Sequence, residues 1–129
     1  MTGEKSADEH VRLLLVEDHA AFRQALAFVL GRQPGFEVVA QAGTLDGARA
    51  AIGGGIDVAL VDLMLPDGNG ADIIAELREA NPSVRVLVLS ASLGEDNLSR
   101  AREAGADGVL DKTVSPEEIA ETVRGLRTG

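Results

Sequence analysis

Asp57-Val58-Ala59-Leu60-Val61-Asp62 runs straight into Leu63-Met64-Leu65-Pro66-Asp67-Gly68-Asn69-Gly70. The first half is a short apolar run that ends on a carboxylate. Val58 to Val61 shows no polar alternation, which suits a strand buried on both faces of a sheet. Pro66, Asp67, Gly68, Asn69 and Gly70 cannot prolong a central strand and favour a loop. Asp62 is therefore expected at the carboxyl end of a buried parallel strand, where open α/β sheets place their ligands. A strand-ending Asp that merely caps a turn has the same local pattern, so this stretch alone leaves both readings open.

Upstream, Val11 to Val16 is apolar apart from Arg12 and reads as a first buried strand, ending on Glu17-Asp18-His19. A helix is predicted over 20–30, with Phe22, Leu26, Val29 and Leu30 on one stripe and Gly31 as its stop. A second strand is expected over 36–40. Thr44 then caps an Ala-rich helix that runs into Gly53-Gly54-Gly55. That glycine run follows a helix and lacks the Lys-Ser/Thr of a phosphate loop, so it reads as a flexible connector.

Downstream, a helix over 70–80 carries Ile73, Ile74 and Leu77 and stops at Asn81-Pro82. A fourth strand over 84–89 leads to Ser90-Ala91-Ser92. Ser92-Leu93-Gly94-Glu95 has the spacing of a capping box. The helix it opens, to about 104, has only a weak stripe (Leu98, Ala101) and is expected to be the least stable element. Gly105 closes it. Gly108 to Asp111 forms a fifth strand leading to Lys112, and Ser115-Pro116-Glu117-Glu118 starts a last helix lined by Ile119, Val123 and Leu126. The alternation, with connections too long for hairpins, predicts an α/β fold. Five parallel strands in the order 2-1-3-4-5 form a doubly wound (βα)5 sheet with helices on both faces.

The 129 residues suffice for one domain with a sizeable core, placed at 10–127 behind a polar, disordered lead-in at 1–9. With 3 Phe and neither Trp nor Tyr, platforms for stacking bases are scarce. The balance of 12 basic against 21 acidic residues, net −9, disfavours DNA, RNA or an anionic membrane as a direct partner. The absence of Cys excludes disulfides, thiolate chemistry and Cys-based zinc sites. No apolar run approaches the roughly 18 residues of a membrane span. The N-terminus lacks a signal-peptide core, so a cytoplasmic location is expected.

The strand ends form a set. Strand one delivers Glu17 and Asp18, strand three Asp62, strand four the hydroxyl of Ser90 and strand five Lys112. Strands one and three flank the switch point of the sheet, so three carboxylates converge there. Their repulsion raises at least one pKa unless a cation intervenes. Oxygen donors without His or Cys suit a hard ion, Mg²⁺ foremost. A hydroxyl and an ammonium flanking a metal-bound carboxylate would hold a phosphoryl group, with Asp62 as the nucleophile that forms an acyl phosphate. Each residue also has a bland reading as a loop polar group, but five chemically matched residues at corresponding strand ends favour the functional one.

At this point the sequence resembles the receiver domain of two-component response regulators, a flavodoxin- and CheY-like fold, over almost its whole length. The residues that carry the resemblance are the acidic pair Glu17-Asp18, Asp62 followed by Pro66 and Gly70, Ser90 with the small Ala91, and Lys112. The segments from Val16 to Arg23 and from Leu65 to Gly70 look most like the NarL/LuxR-type subfamily, whose members carry a C-terminal helix-turn-helix domain. The resemblance implies a phosphorylation-controlled switch rather than a turnover enzyme. Asp62 accepts a phosphoryl group from a phosphohistidine on a sensor histidine kinase. Asp18, Asp62 and the backbone carbonyl of Met64 ligate Mg²⁺, and Glu17 acts through a coordinated water. Lys112 pairs with the acyl phosphate, and Ser90 swings towards it. The fourth helix, fifth strand and fifth helix form the output surface, a homodimer on phosphorylation is allowed, and any DNA contact lies in a C-terminal domain beyond this chain.

Three departures from the family pattern stand out. Val109 occupies the place of an aromatic switch residue. Asp111 stands beside Lys112 where an apolar residue is common. Thr113 replaces a frequent Pro, so a trans bond is expected there. His19 reads as a helix-start residue, Asp67 as a turn residue, and Met64 as a side chain able to cover the path of attacking water. Two other readings remain: a phosphate-independent interaction domain, supported by Val109 and Asp111, and a metal-dependent phosphohydrolase. The latter class resembles Asp-x-Asp-x-Thr, whereas Asp62 is followed by Leu63-Met64-Leu65.

Overall fold

The computed structural model describes residues 10–91 and 94–128. The elements are β1 (Val11–Val16), α1 (Ala20–Gly31), β2 (Phe36–Ala42), α2 (Leu45–Ala51), β3 (Val58–Asp62), α3 (Ala71–Ala80), β4 (Arg85–Ser90), α4 (Glu95–Ala104), β5 (Gly108–Asp111) and α5 (Pro116–Thr128). All pairings within the five-stranded sheet are parallel, in the order β2-β1-β3-β4-β5. This is the expected doubly wound arrangement.

Both faces of the sheet are buried, which is why the central strands read as unbroken apolar runs. Leu13, Leu15, Val58, Leu60, Leu87 and Leu89 face one layer, where they meet Leu26 and Leu30 of α1 and Ile119 and Val123 of α5. Leu14, Val16, Ala59, Val61, Val86 and Val88 face the other, against Ala48 of α2, Ile73, Ile74 and Leu77 of α3, and Ala101 of α4. The alternation along each strand is the two-residue period of the pleat. Ala101 is the buried residue of α4, in keeping with its weak stripe.

Several expectations need correction. β2 continues to Ala42, because Leu15 and Val16 of β1 pair with Gln41 and Ala42 and carry the ladder past the apolar stretch. Gly31 is the last residue of α1, not a left-handed stop. The turn after it is closed by hydrogen bonds from the Arg32 and Gln33 amides to Val29 and Leu30, and the left-handed glycine is Gly35. The glycine run is not a loose connector. Ile52–Gly54 forms a 3₁₀ turn, and the Arg12 guanidinium donates to the carbonyls of Gly54 and Gly55 at 2.9 and 2.8 Å. The loop after β3 contains a two-residue antiparallel hairpin, Met64–Leu65 with Gly68–Asn69. The first half of the expected capping box, Ser92 and Leu93, lies outside the described residues, as does the lead-in at 1–9; α4 begins at Glu95 after Gly94.

Other local signals act as read. Thr44 Oγ1 accepts from the Gly47 amide at 2.9 Å, and Ser115 Oγ from the Glu118 amide at 3.1 Å. Gly105 ends α4 in the left-handed conformation.

Candidate functional site

The register of the sheet builds the site. Val16 pairs with Val61, Asp62 with Leu89, and Ser90 with Asp111, so the residues that follow β1, end β3 and β4, and follow β5 reach one rim together. Two amides hold the rim in step: Glu17 N–H donates to the Ala42 carbonyl at 2.8 Å, and Lys112 N–H to the Ser90 carbonyl at 3.0 Å.

Asp62 is 3% exposed and Glu17 2%. Lys112 Nζ lies between them, 2.6 Å from Glu17 Oε1 and 3.0 Å from Asp62 Oδ2. The other Asp62 oxygen, Oδ1, accepts from the Met64 amide at 3.1 Å. The second Glu17 oxygen accepts from the His19 amide at 2.8 Å. Burial pushes the Glu17 carboxyl above its ordinary pKa and the Asp62 charge adds to this, while Lys112 and the His19 amide oppose it. Burial acts to lower the Lys112 pKa, but the hydrogen bonds and charges of Glu17 and Asp62 together outweigh it and raise the ammonium.

Asp18 is exposed at the mouth of a cleft of about 570 Å³ that is lined by Asp18, Asp62, Met64, Ala91, Asn97 and Lys112. One oxygen each from Glu17, Asp18 and Asp62 lie within 4.8 Å of one another. Glu17 Oε1 is buried, and its close partner is the Lys112 ammonium. A hard-oxygen cluster of three carboxylates, with Glu17 and Asp62 buried, fits a divalent ion such as Mg²⁺.

Ser90 reaches the same rim and is 1% exposed; the neighbouring Ala91 lines the cleft. Met64 is 66% exposed over the cleft. Val109 is half-buried and packs on the α2–α3–α4 side of the sheet. Asp111 turns away from the ammonium: its carboxylate accepts from the Thr113 amide at 2.8 Å, which holds its pKa below the ordinary value. There is no cis peptide among the described residues, so Thr113 follows Lys112 through a trans bond. His19 is the exposed N-cap residue of α1.

Three neighbours of the site were not visible in the motif. The Phe22 ring lies with its centroid 5.3 Å from Lys112 Nζ, a cation–π contact. The Arg23 guanidinium donates to the Glu17 carbonyl at 2.7 Å. Asn97 of α4 lines the cleft. Phe22 belonged to the apolar stripe of α1, and nothing in that stripe marks which of its members meets an ammonium.

Comparison with known proteins agrees with this fold. The family model described as "Response regulator receiver domain" matches residues 13–124. The chain is 34% identical over 120 residues to the DNA-binding transcriptional activator DevR/DosR of Mycobacterium tuberculosis, covering 92% of this chain and 55% of that protein. It is 35% identical over 121 residues to the nitrate/nitrite response regulator NarP of Escherichia coli, again covering 92% and 55%. The chain thus spans little more than half the length of these relatives. Among solved structures it is similar to a LuxR-family two-component response regulator from Aurantimonas sp. SI85-9A1, with TM-score 0.83, 28% identity, and 93% and 86% of the two chains covered. It is also similar to a Burkholderia pseudomallei response regulator solved with a phosphorylated aspartic acid, a calcium ion and citrate, with TM-score 0.77, 30% identity, and coverage of 89% and 71%.

Proposed function

Because the chain belongs to the response regulator receiver domain family, we propose that it is a phosphorylation-controlled switch whose acceptor is Asp62. The observation that carries this reading is the environment of Asp62. It is a buried carboxylate with one oxygen on a backbone amide and the other on the Lys112 ammonium, beside two further carboxylates.

In this reading an Asp62 oxygen attacks the phosphorus of a phosphohistidine on a sensor histidine kinase. A P–O bond forms, the P–N bond breaks, and the imidazole leaves with a proton. Lys112 exchanges part of its contact with Asp62 for the incoming phosphoryl oxygens. Ser90 supplies a hydroxyl from the adjacent strand end. Asp18, Asp62 and the Met64 carbonyl, with Glu17 beside them, would hold Mg²⁺, which would supply neutralisation of phosphoryl charge. The response passes to the surface of α4, β5 and α5, where α4 buries little and is suited to shift between arrangements. By likeness to the relatives above, the domain is the receiver part of a transcriptional regulator that contacts DNA through another domain; a homodimer on phosphorylation is part of the same proposal.

A phosphate-independent interaction domain is the second reading, and the aliphatic Val109 favours it. One experiment separates the two. The protein is incubated with Mg²⁺ and phosphoramidate and weighed intact. A single phosphoryl adduct that disappears in Asp62→Ala supports the switch; the absence of any adduct on the wild type refutes it.

A further inference from the structure

We propose that Asp67 is a positioning residue for the phosphoacceptor, acting through the backbone of Met64; the inference rests on the reading of Asp62 given above. Asp67 sits at the exposed tip of the short hairpin that follows β3, and its carboxylate crosses to the start of α2. Oδ1 accepts from the Leu45 amide at 2.8 Å and Oδ2 from the Asp46 amide at 3.2 Å. α2 already has a cap of its own in Thr44. The Asp67 contacts therefore fasten the hairpin to the helix as much as they cap the helix.

The hairpin needs such a fastening. It has two residues on each side, and an isolated two-stranded hairpin is marginal at best. Leu65 anchors it from below, buried in the same cluster as Leu45, and Gly68 passes so close that an added Cβ would lie 2.7 Å from Leu45 Cδ1. Asp67 anchors it from above. The ladder then carries the restraint inward: Leu65 pairs with Gly68 and Met64 with Asn69, and the Met64 amide donates to Asp62 Oδ1. The same short segment places the Met64 carbonyl that is proposed to ligate Mg²⁺. Partners that orient ligating groups in this way commonly matter nearly as much as the ligands themselves.

The test uses the full chain and three variants: Asp67→Ala, Asp67→Asn and Thr44→Ala. Thr44→Ala weakens the first turn of α2 but leaves the hairpin attached, so it reports a purely structural role. Two readouts are followed: hydrogen exchange of the Met64 amide in metal-free protein, and the Mg²⁺ dissociation constant by calorimetry. Asp67→Ala is expected to expose the Met64 amide to exchange and to weaken Mg²⁺ binding roughly ten-fold. Asp67→Asn, which keeps one acceptor oxygen, is expected to fall between, and it carries the test if the alanine variant does not fold. Thr44→Ala is expected to keep both wild-type values. Equal behaviour of the Asp67 and Thr44 variants, or wild-type Met64 exchange in Asp67→Ala, overturns the proposal. Failure of the wild type to bind Mg²⁺ overturns the reading of the site instead, while the exchange comparison still decides the role of Asp67.

Discussion

Replacing Gly70 by Ala strikes the backbone of Asp62, the proposed phosphoacceptor. Gly70 has ordinary helical angles, φ −59° and ψ −23°, so conformational freedom is not what requires glycine there. Space is. An added Cβ would lie 2.0 Å from the Asp62 carbonyl oxygen, 2.9 Å from its carbonyl carbon and 2.8 Å from Val61 Cγ1. Non-bonded carbon contacts settle at about 3.5–4.0 Å, so the misfit exceeds what a side-chain rotation can absorb, and the atoms in the way belong to a central strand. Retreat of Gly70 is opposed as well, because its amide donates to the Leu63 carbonyl at 2.8 Å. Overpacking costs about 1–3 kcal/mol; a clash with a buried backbone belongs at the upper end, about 3 kcal/mol. In a domain of this size that corresponds to a fall in Tm of roughly 10 °C. Gly31→Ala serves as the control, since nothing lies within 4 Å of its would-be Cβ and its φ is not left-handed. It should be neutral, or stabilising by up to about 1 kcal/mol. Thermal and urea unfolding followed by circular dichroism measure both variants, and phosphoramidate labelling below Tm should show that Gly70→Ala also slows modification of Asp62. A Gly70→Ala protein that melts within about 2 °C of wild type would refute the steric argument.

Three further outcomes are expected. Lys112→Met leaves Glu17 and Asp62 without their shared cation. Breaking a buried pair costs about 3–5 kcal/mol; partial exposure of Lys112 and protonation of a carboxylate should reduce this to about 1–2 kcal/mol at neutral pH. A carboxyl whose pKa is raised by folding, as that of Glu17 is, loses stability as pH rises from its ordinary 4.5 through the folded value. The Tm deficit of Lys112→Met should therefore grow with pH above that point and shrink below it. Asp67 shows the opposite sign: the Leu45 amide, foremost, holds its pKa below the ordinary 3.8, so its contribution is present above that pH and is lost as pH falls through the folded value. The Tm gap between wild type and Asp67→Ala should close on such acidification. Met64, exposed over the cleft, should shield an acyl phosphate from water; Met64→Asn should speed loss of the phosphoryl group, and an unchanged decay rate by intact mass would count against shielding.

The sheet was legible because its signal is local. A strand buried on both faces needs an apolar residue at each of Val58, Ala59, Leu60 and Val61, and the turn residues after Asp62 cannot extend it. Once the strands are taken as parallel, their carboxyl ends must share a rim, so Glu17, Asp62, Ser90 and Lys112 could be gathered from sequence alone. The misread details lie where a neighbour overrides local preference. β2 runs on through Gln41 because β1 offers it a partner, and the glycine run is held by Arg12 because its carbonyls happen to face that guanidinium.

By itself, then, the amino-acid order determined the alternation of strand and helix, the two-sided core and the set of groups at the strand ends, since each follows from period and residue type. Tertiary structure alone decided that Lys112 lies between Glu17 and Asp62, that Phe22 backs its ammonium, and that Asp67 reaches across to α2. A polar side chain in a turn has the same local pattern whether it points to water or to another element. Which of these it does depends on the spacing and register of segments far apart in the chain.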